Sequence, residues 1–199
     1  FSNKKRFLKY LSCILIGLPT WFAISILCIF AKDFAVAIGI DGPIATGKSI
    51  LYHYLGASLG SLVFSFVSQK LKSRKKALII AMLSLALVSV WYFMSKGASP
   101  GMFYFIIFIL GIAMGYWSIF VTVASEQFGT NIRSTVTTSV PNFVRGSAVL
   151  MLLVWEQLDS YMGIINAAIV VGLVVIVIAL LALTNIEESY GKDIDYIEE

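Results

Sequence analysis

Residues 42–49 carry the clearest chemical signature in the chain, the Gly-rich stretch GPIATGKS. The stretch fits the pattern G-x-x-x-x-G-K-[ST] of phosphate-binding loops in full. In such a loop, backbone amides hold the phosphates, Lys48 would reach the terminal phosphates and Ser49 would bind Mg²⁺. A working loop of this kind opens a helix inside a parallel α/β unit. An apolar stretch of membrane-span length follows here instead, so we interpret residues 42–49 as a turn between two helices.

Arg145 is the only charged residue inside an otherwise apolar stretch near residues 136–155. It follows Arg133 by twelve residues, which is about 18 Å along a helix and predicts a position near mid-membrane. A cation at that depth costs on the order of 3 kcal/mol or more, so it normally faces water or a partner. Asn142, three residues earlier, is expected on the same helical face. Two roles stay open for Arg145, binding an anionic or carbonyl-bearing solute and pairing with an acidic residue outside this chain.

The single histidine and the two cysteines offer less chemistry. His53 lies about one turn into an apolar stretch, and we favour a structural or solvated role over proton coupling. On one helix Cys13 and Cys28 would be about 22 Å apart, whereas a disulfide needs Cα atoms within about 7 Å. No Cys-x-x-Cys motif or Cys/His cluster occurs, so we expect neither a metal nor another cofactor.

The composition of the whole chain points to a bilayer as its solvent. Of 199 residues, 59% are apolar and only 13% are charged, and mean hydropathy is +0.89. A soluble domain averages about 45–50% apolar and about 25% charged residues, so this chain has too few charges to cover a soluble core. The composition argues against a soluble enzyme and a nucleic-acid-binding protein. The net charge of +4 comes from cations placed in short gaps between apolar stretches.

Six stretches with almost no charge can each supply the roughly 20 residues that cross a bilayer as a helix. The predicted fold is therefore an all-α membrane protein with six transmembrane helices. The stretches are residues 10–31, 49–69, 77–95, 97–125, about 136–155 and 160–186.

The distribution of Lys and Arg predicts the orientation. Eleven cations share the side of the two termini, and three lie on the other side. Cytoplasmic loops are enriched in Lys and Arg, so we expect both termini in the cytoplasm and the protein in the plasma membrane. The acidic tail, residues 187–199, is expected to be a frayed cytoplasmic extension. The eleven are Lys4, Lys5, Arg6, Lys9, Lys70, Lys72, Arg74, Lys75, Lys76, Arg133 and Lys192, and the three are Lys32, Lys48 and Lys96.

Two loops carry a family resemblance. VSQKLKSRKK at residues 67–76 resembles the basic loop Gly-x-x-x-Asp-Arg-x-Gly-Arg-Arg of the major facilitator superfamily, with Ser65 and Gln69 where Gly and Asp would stand. SEQFGTNIRST at residues 125–135 resembles the Glu…Arg pair of sugar-porter-like members, and SVPNFVRG at residues 139–146 continues the likeness. Order and spacing match the second half of a twelve-helix transporter, spans seven to twelve.

This resemblance implies a fold and a function. Residues 1–186 would form a half-bundle of two inverted three-helix repeats, about 7–95 and 101–186. The first helix of each repeat would line the substrate cavity, the second would flank it and the third would face lipid. A six-helix N-terminal half would complete the transporter. The residues implied for substrate binding are Arg145, Asn142, Trp21, Tyr116 and Trp117, and those implied for the cytoplasmic loops and gating are Lys70, Arg74, Glu126 and Arg133.

We therefore expect secondary transport of a small anionic or sugar-like solute by alternating access, without enzymatic activity, ATP or nucleic acid. If transport is a proton symport, the coupling carboxylate is expected in the N-terminal half, because this chain has no mid-membrane acid. The alternative is a six-helix membrane scaffold or assembly protein without transport activity. A membrane-tethered phosphate-loop enzyme is kept as a third alternative only because of residues 42–49.

Overall fold

The computed structural model describes residues 3–193 and 195–197, and every regular element in these residues is a helix. The prediction of an all-helical fold with six helices that are long and apolar enough to cross a bilayer is confirmed, and these six helical rods point to an integral membrane protein. The helices are α1 (Lys4–Phe22), continued by a π-helical stretch (Ala23–Cys28), α2 (Ala31–Ile38), α3 (Thr46–Leu71), α4 (Arg74–Phe93), α5 (Pro100–Met114), α6 (Trp117–Glu126), α7 (Thr130–Met162) and α8 (Ile164–Ala182). The six rods are Lys4–Cys28, α3, α4, Pro100–Glu126, α7 and α8.

Helix α7 begins earlier than its apolar stretch suggests. The predicted span near residues 136–155 is the middle of a helix that covers Thr130–Met162. In its polar first turns, threonine hydroxyls bond to carbonyls of the same helix. Thr137 and Thr138 donate to the carbonyls of Arg133 and Ser134, at 2.8 and 3.0 Å. Such bonds satisfy the side chains locally, so hydropathy alone underestimates the helix.

Two of the six rods are interrupted. Pro19 lies inside α1, and the chain widens into the π-helical stretch Ala23–Cys28 four residues later. In the fourth rod, α5 ends at Met114 and α6 begins at Trp117, with Gly115 and Tyr116 between them. π-Helical turns inside α-helices frequently occur at functional sites, and interrupted spans are tolerated where they are buried in protein or line a cavity.

Helices α3 and α5 pack with their backbones in contact along two pairs of glycines. A Cβ atom on Gly56 would overlap the Phe108 carbonyl oxygen, and one on Gly111 would overlap the carbonyl oxygen of His53. The second pair, Gly60 and Gly115, is equally close. The Gly-x-x-x-Gly spacing therefore serves packing within the chain, because small residues let two membrane helices approach closely.

The rods pack in a crossed order. The first rod packs mainly on α7 and α8, whereas the fourth rod packs mainly on α3 and α4. Helix α8 is buried on one side. Its small residues Ala167, Ala168 and Gly172 lie on that side, and Gly172 lies against the Phe22 ring.

The six rods bring two loops and both ends of the described chain to one face, which we call the terminal face. It contains residues 67–76, residues 125–135 and the segment 183–197 without residue 194. The expected frayed tail is wrong for the described residues, because Ser189 is buried and the segment bonds to the loop 125–135 and to the loop 67–76. The other face is closed by the loops 39–45 and 94–99, where Gly97 N–H donates to the Gly39 carbonyl at 3.0 Å.

Candidate functional site

A cavity of about 370 Å³ lies between the first rod, α3, the break in the fourth rod and α7. It brings together three of the residues that the sequence singled out, Trp21, Trp117 and Arg145. The sequence gave no signal for the other four, because none is charged or unusual for a membrane helix. They are Thr20, Ile24, Tyr54 and Met114.

Arg145 supplies the only formal charge of this cavity. Its guanidinium carbon lies 5.7 Å from the centre of the Trp21 ring, in the range of a cation–π contact. Among the residues that the structure describes, none forms a salt bridge or hydrogen bond with the guanidinium. The side chain is exposed, so its five N–H donors are open to water or to a solute.

Both tryptophans of the cavity lie at the breaks of their rods. Trp21 lies two residues before the π-helical stretch, and Trp117 is the first residue of α6. Each lies 17 residues after the start of its rod, at Lys4 and Pro100. Trp117 also packs on Phe120 with ring centres 4.9 Å apart. The breaks therefore place an indole from the first rod and one from the fourth rod in the same cavity.

His53 lies directly behind the cavity. Its ring is completely buried, and its Nε2 lies 3.0 Å from the sulfur of Met114, a lining residue. Nδ1 has no hydrogen-bond partner among the described residues. This position agrees with the structural role favoured from the sequence and disagrees with a solvated one. Because His53 is the residue whose carbonyl touches Gly111, it belongs to the tight α3–α5 contact.

Tyr116 and Asn142 lie outside the cavity at Arg145. Tyr116 is completely buried, and its hydroxyl donates to the Ile16 carbonyl at 3.3 Å. Asn142 is exposed, and its Nδ2 donates to the Thr138 carbonyl at 2.9 Å. It lines a second, larger cavity of about 840 Å³ between α1 and α7, next to Tyr10. The structure therefore separates Asn142 from Arg145, although the two residues lie on one helix.

On the terminal face, Arg74 and Glu126 form the ion pair that joins the two loops. Arg74 donates from Nε and Nη2 to the two carboxylate oxygens of Glu126, at 3.3 and 3.1 Å. The guanidinium also donates to the Ser68 hydroxyl at 3.1 Å. Arg133 donates from Nε to the Phe128 carbonyl at 3.2 Å, and Lys70 is exposed near the end of α3.

Glu188 fixes the tail to the first turn of α4. Its carboxylate accepts bonds from the Ser73 hydroxyl and from the backbone N–H groups of Arg74 (2.8 Å) and Lys75 (3.3 Å). A negative charge is favourable at a helix N-terminus. Partial burial acts to raise the pKa of Glu188, but the bonds from Ser73 and from backbone N–H groups outweigh it and hold the pKa below its usual value. The tail is thereby tied to the loop that carries Arg74.

The phosphate-loop pattern has the wrong surroundings for nucleotide chemistry. The segment before it is the helix Ala31–Ile38, not a strand, and no strand occurs among the described residues. Lys48 is exposed in the first turn of α3, and the Ser49 hydroxyl bonds to the Ala45 carbonyl at 3.4 Å. No group of three or more His, Cys, Asp or Glu side chains in the described part of the chain could hold a metal ion. Residues 42–45 lie in the turn between α2 and α3, as predicted, but residues 46–49 already form the first turn of α3, so the predicted turn extends four residues too far.

Neither a scan against models of protein families nor a search of the curated proteins finds a match for this chain. The cavity, the order of the helices and the loop bonds are the features that bear on its function.

Proposed function

We propose that this chain is the C-terminal half of a secondary transporter of the major facilitator superfamily, which moves a small solute across the plasma membrane by alternating access. The observation that carries the proposal is the Arg145 guanidinium, which forms no hydrogen bond or salt bridge with the described residues and lies in a cavity shared by the first and fourth rods. An unneutralised cation inside a membrane-spanning helix is a functional-site hypothesis by default.

The packing order supports two inverted three-helix repeats, about 7–95 and 101–186. The first helix of each repeat packs mainly on the second and third helices of the other repeat. The same two helices are the interrupted ones, and each carries a cavity tryptophan 17 residues from its start. In transporters built from inverted repeats, the substrate site lies at the repeat interface and is typically formed by discontinuous helices.

The terminal face is the cytoplasmic face in this proposal. It carries the eleven cations that set the orientation. The Arg74–Glu126 pair joins the loop 67–76 to the loop 125–135, so it would hold these two loops together while the half-bundle moves as one body. Lys70 and Arg133 lie on the same two loops, and their gating role remains part of the proposal.

The experiment uses the full-length protein in sealed proteoliposomes and a panel of labelled small organic acids, sugars and amino acids. Wild type should move at least one member, and Arg145→Ala should abolish that flux while its melting temperature stays within a few degrees. Arg145→Lys should recover little, because a flexible point charge does not reproduce the planar, bidentate guanidinium. Lys96→Gln, a charge removal in the loop 94–99, serves as the control with normal flux.

A different result would contradict the assignment of Arg145. If Arg145→Ala unfolds early, the residue is a structural partner of a buried acid elsewhere, a change of about 3–5 kcal/mol. If flux and melting temperature both stay normal, the side chain only extends to a polar surface. If wild type moves no member of the panel, the six-helix scaffold becomes the better account.

A further inference from the structure

The side chains that line the cavity at Arg145 combine one positive charge with aromatic and apolar groups. One guanidinium and two indole rings face it, together with Ile24 and Met114. Its other side-chain polar groups are the Tyr54 hydroxyl and the N–H donors of the two indoles, since the Thr20 hydroxyl oxygen is buried. No carboxylate and no carboxamide side chain belongs to the lining formed by the described residues.

A sugar is a poor fit to that lining. Each sugar hydroxyl that leaves water needs a hydrogen-bond partner, because burying an unpaired hydroxyl is costly. Carboxylates and carboxamides satisfy such groups, since they accept, or both donate and accept, at fixed positions. The guanidinium and the indole N–H groups can only donate, so the Tyr54 hydroxyl is the one side-chain acceptor among the described lining residues that face the cavity, and most hydroxyl protons of a hexose find no partner on this side.

A cation is excluded by charge, and an anion is favoured. Arg145 gives the cavity a positive charge that the described residues do not neutralise. A carboxylate can accept two parallel N–H bonds from one guanidinium, and this arrangement is among the strongest polar contacts in proteins. The contact with the Trp21 ring, 5.7 Å from the guanidinium carbon, would restrict the guanidinium to one orientation.

The remaining surface favours a flat, apolar body behind the anionic group. The rings of Trp21 and Trp117 offer large apolar faces, and aromatic rings pair well with other aromatic rings. The volume of about 370 Å³ lies near the lower end of the range of about 300–1,000 Å³ that is typical of small-molecule sites. A small ring with one acidic group therefore matches both the size and the chemistry of the cavity.

From this balance we infer that the cavity takes a small organic monoanion with a flat apolar body, the class of aromatic carboxylates, and does not take a sugar. This inference rests on the proposed transport function and names its substrate class. The carboxylate contacts Arg145, and the ring lies against the tryptophans of the two interrupted rods.

Calorimetric titration of the purified full-length protein with four probes separates the parts of this inference. Benzoate carries both the charge and the ring, acetate only the charge, benzyl alcohol only the ring, and glucose only hydroxyls. Benzoate should bind saturably, acetate and benzyl alcohol at least about tenfold more weakly, and glucose without saturation. Because this comparison uses wild-type protein, it does not depend on the folding of any variant.

Two variants then locate the binding site. Arg145→Gln should weaken benzoate binding by about ten- to 100-fold, because it replaces a charge-assisted, bidentate contact with a neutral one. Trp21→Leu should weaken it by about five- to tenfold, whereas Trp91→Leu should have no effect. Trp91 is the matched control, since it lies on α4 against Phe105 and outside the cavity.

Three results would overturn the inference: glucose binding more tightly than benzoate, equal affinity for acetate and benzoate, or benzoate binding that Arg145→Gln leaves unchanged. Failure of all four probes to bind would overturn it too. The proposed function fails by a different measurement, which is access to the cavity from only one side of the membrane. If benzoate binds but the cavity is accessible from one side only, transport is refuted and the ligand class stands. If the cavity is accessible from both sides but binds glucose, the ligand class is refuted and transport stands.

Discussion

At the scale of single residues, the energetics of Arg145 explain why we assign it a ligand. A cation–π contact stabilises by about 0.5–1 kcal/mol at exposed sites and about 2 kcal/mol when desolvated. Placing a cation in a membrane-spanning helix costs on the order of 3 kcal/mol. The Trp21 ring therefore offsets only part of that cost, and the described residues provide no anion for the rest. In the proposed transporter, water and an anionic solute in the cavity would supply the remaining stabilisation.

Lys48 provides a residue-scale test of the turn between α2 and α3. Because Lys48 is exposed and a helix precedes the loop, Lys48→Ala should change the free energy of unfolding by no more than about 0.5 kcal/mol. Wild type should show no saturable ATP binding in calorimetry. Micromolar ATP affinity that Lys48→Ala removes would refute the turn and restore the phosphate-loop alternative.

The sequence predicted which individual residues line the site better than it predicted which of them lie together. Arg145, Trp21 and Trp117 could be named because a charge or a large ring inside a membrane helix is conspicuous. Asn142 was placed with Arg145 because residues three apart share a helical side. Residues three positions apart nevertheless point about 60° away from each other around the helix axis. Here that angle places Asn142 and Arg145 in two different cavities. The sequence could not identify Tyr54 as a lining residue, because its position in the cavity wall depends on how α3 packs against the other helices.

At the scale of elements, the α3–α5 contact is the least tolerant packing surface in the described structure. Its glycines place one backbone against another, so no side chain can move aside to accommodate a new group. The sequence indicated this contact through its Gly-x-x-x-Gly spacing. It did not indicate the interruptions of the first and fourth rods or the docked tail. Those features depend on contacts between segments far apart in the chain, such as Glu188 with the start of α4.

Gly111→Ala should destabilise the protein strongly, because the added Cβ would overlap the carbonyl oxygen of His53. Overpacking of this kind costs about 1–3 kcal/mol, and immovable backbone places this site at the upper end. The matched control is Gly101→Ala on the same helix, where no atom lies within 4 Å of the added Cβ. Thermal unfolding in detergent measures both variants. Equal melting temperatures would contradict the backbone contact.

Glu188 should make stability depend on pH in the acidic range. Its folded-state pKa is lowered, so its contribution is fully present above the unfolded-state value of about 4.3 and is lost as pH falls through the folded-state pKa. Thermal unfolding from pH 6 to pH 3 should show a smaller decline for Glu188→Gln than for wild type. Glu156→Gln, an exposed position on α7, is the control. Identical declines for wild type and Glu188→Gln would show that the carboxylate does not hold the tail.

At the scale of the whole molecule, the proposed transporter would use these six rods as one half. Tight glycine packing between α3 and α5 and the loop bonds at the terminal face join the rods, and in the proposal a second half would cover the cavity at Arg145. Many apolar side chains on α3 and α8 are exposed, including Leu55, Leu62, Leu173 and Leu181. These exposed apolar side chains fit contact with lipid or with another protein better than contact with water.

Alternating access can be measured without knowing the solute, by maleimide labelling of single cysteines in the full-length protein. Cys13 and Cys28 are first replaced by alanine. Lys76→Cys on the terminal face should react only from the cytoplasmic side, and Asp41→Cys only from the outside. Leu87→Cys, 72% exposed on α4 where we expect lipid, should react from neither side.

The central claim is tested most directly by Tyr54→Cys, which places a thiol in the wall of the Arg145 cavity. An impermeant maleimide should label it from the outside in intact cells and from the cytoplasmic side in inverted vesicles, because the cavity opens in turn to each side. Labelling from one side only, or from neither, while the three control positions behave as stated, would contradict a transporter and identify a static six-helix membrane protein.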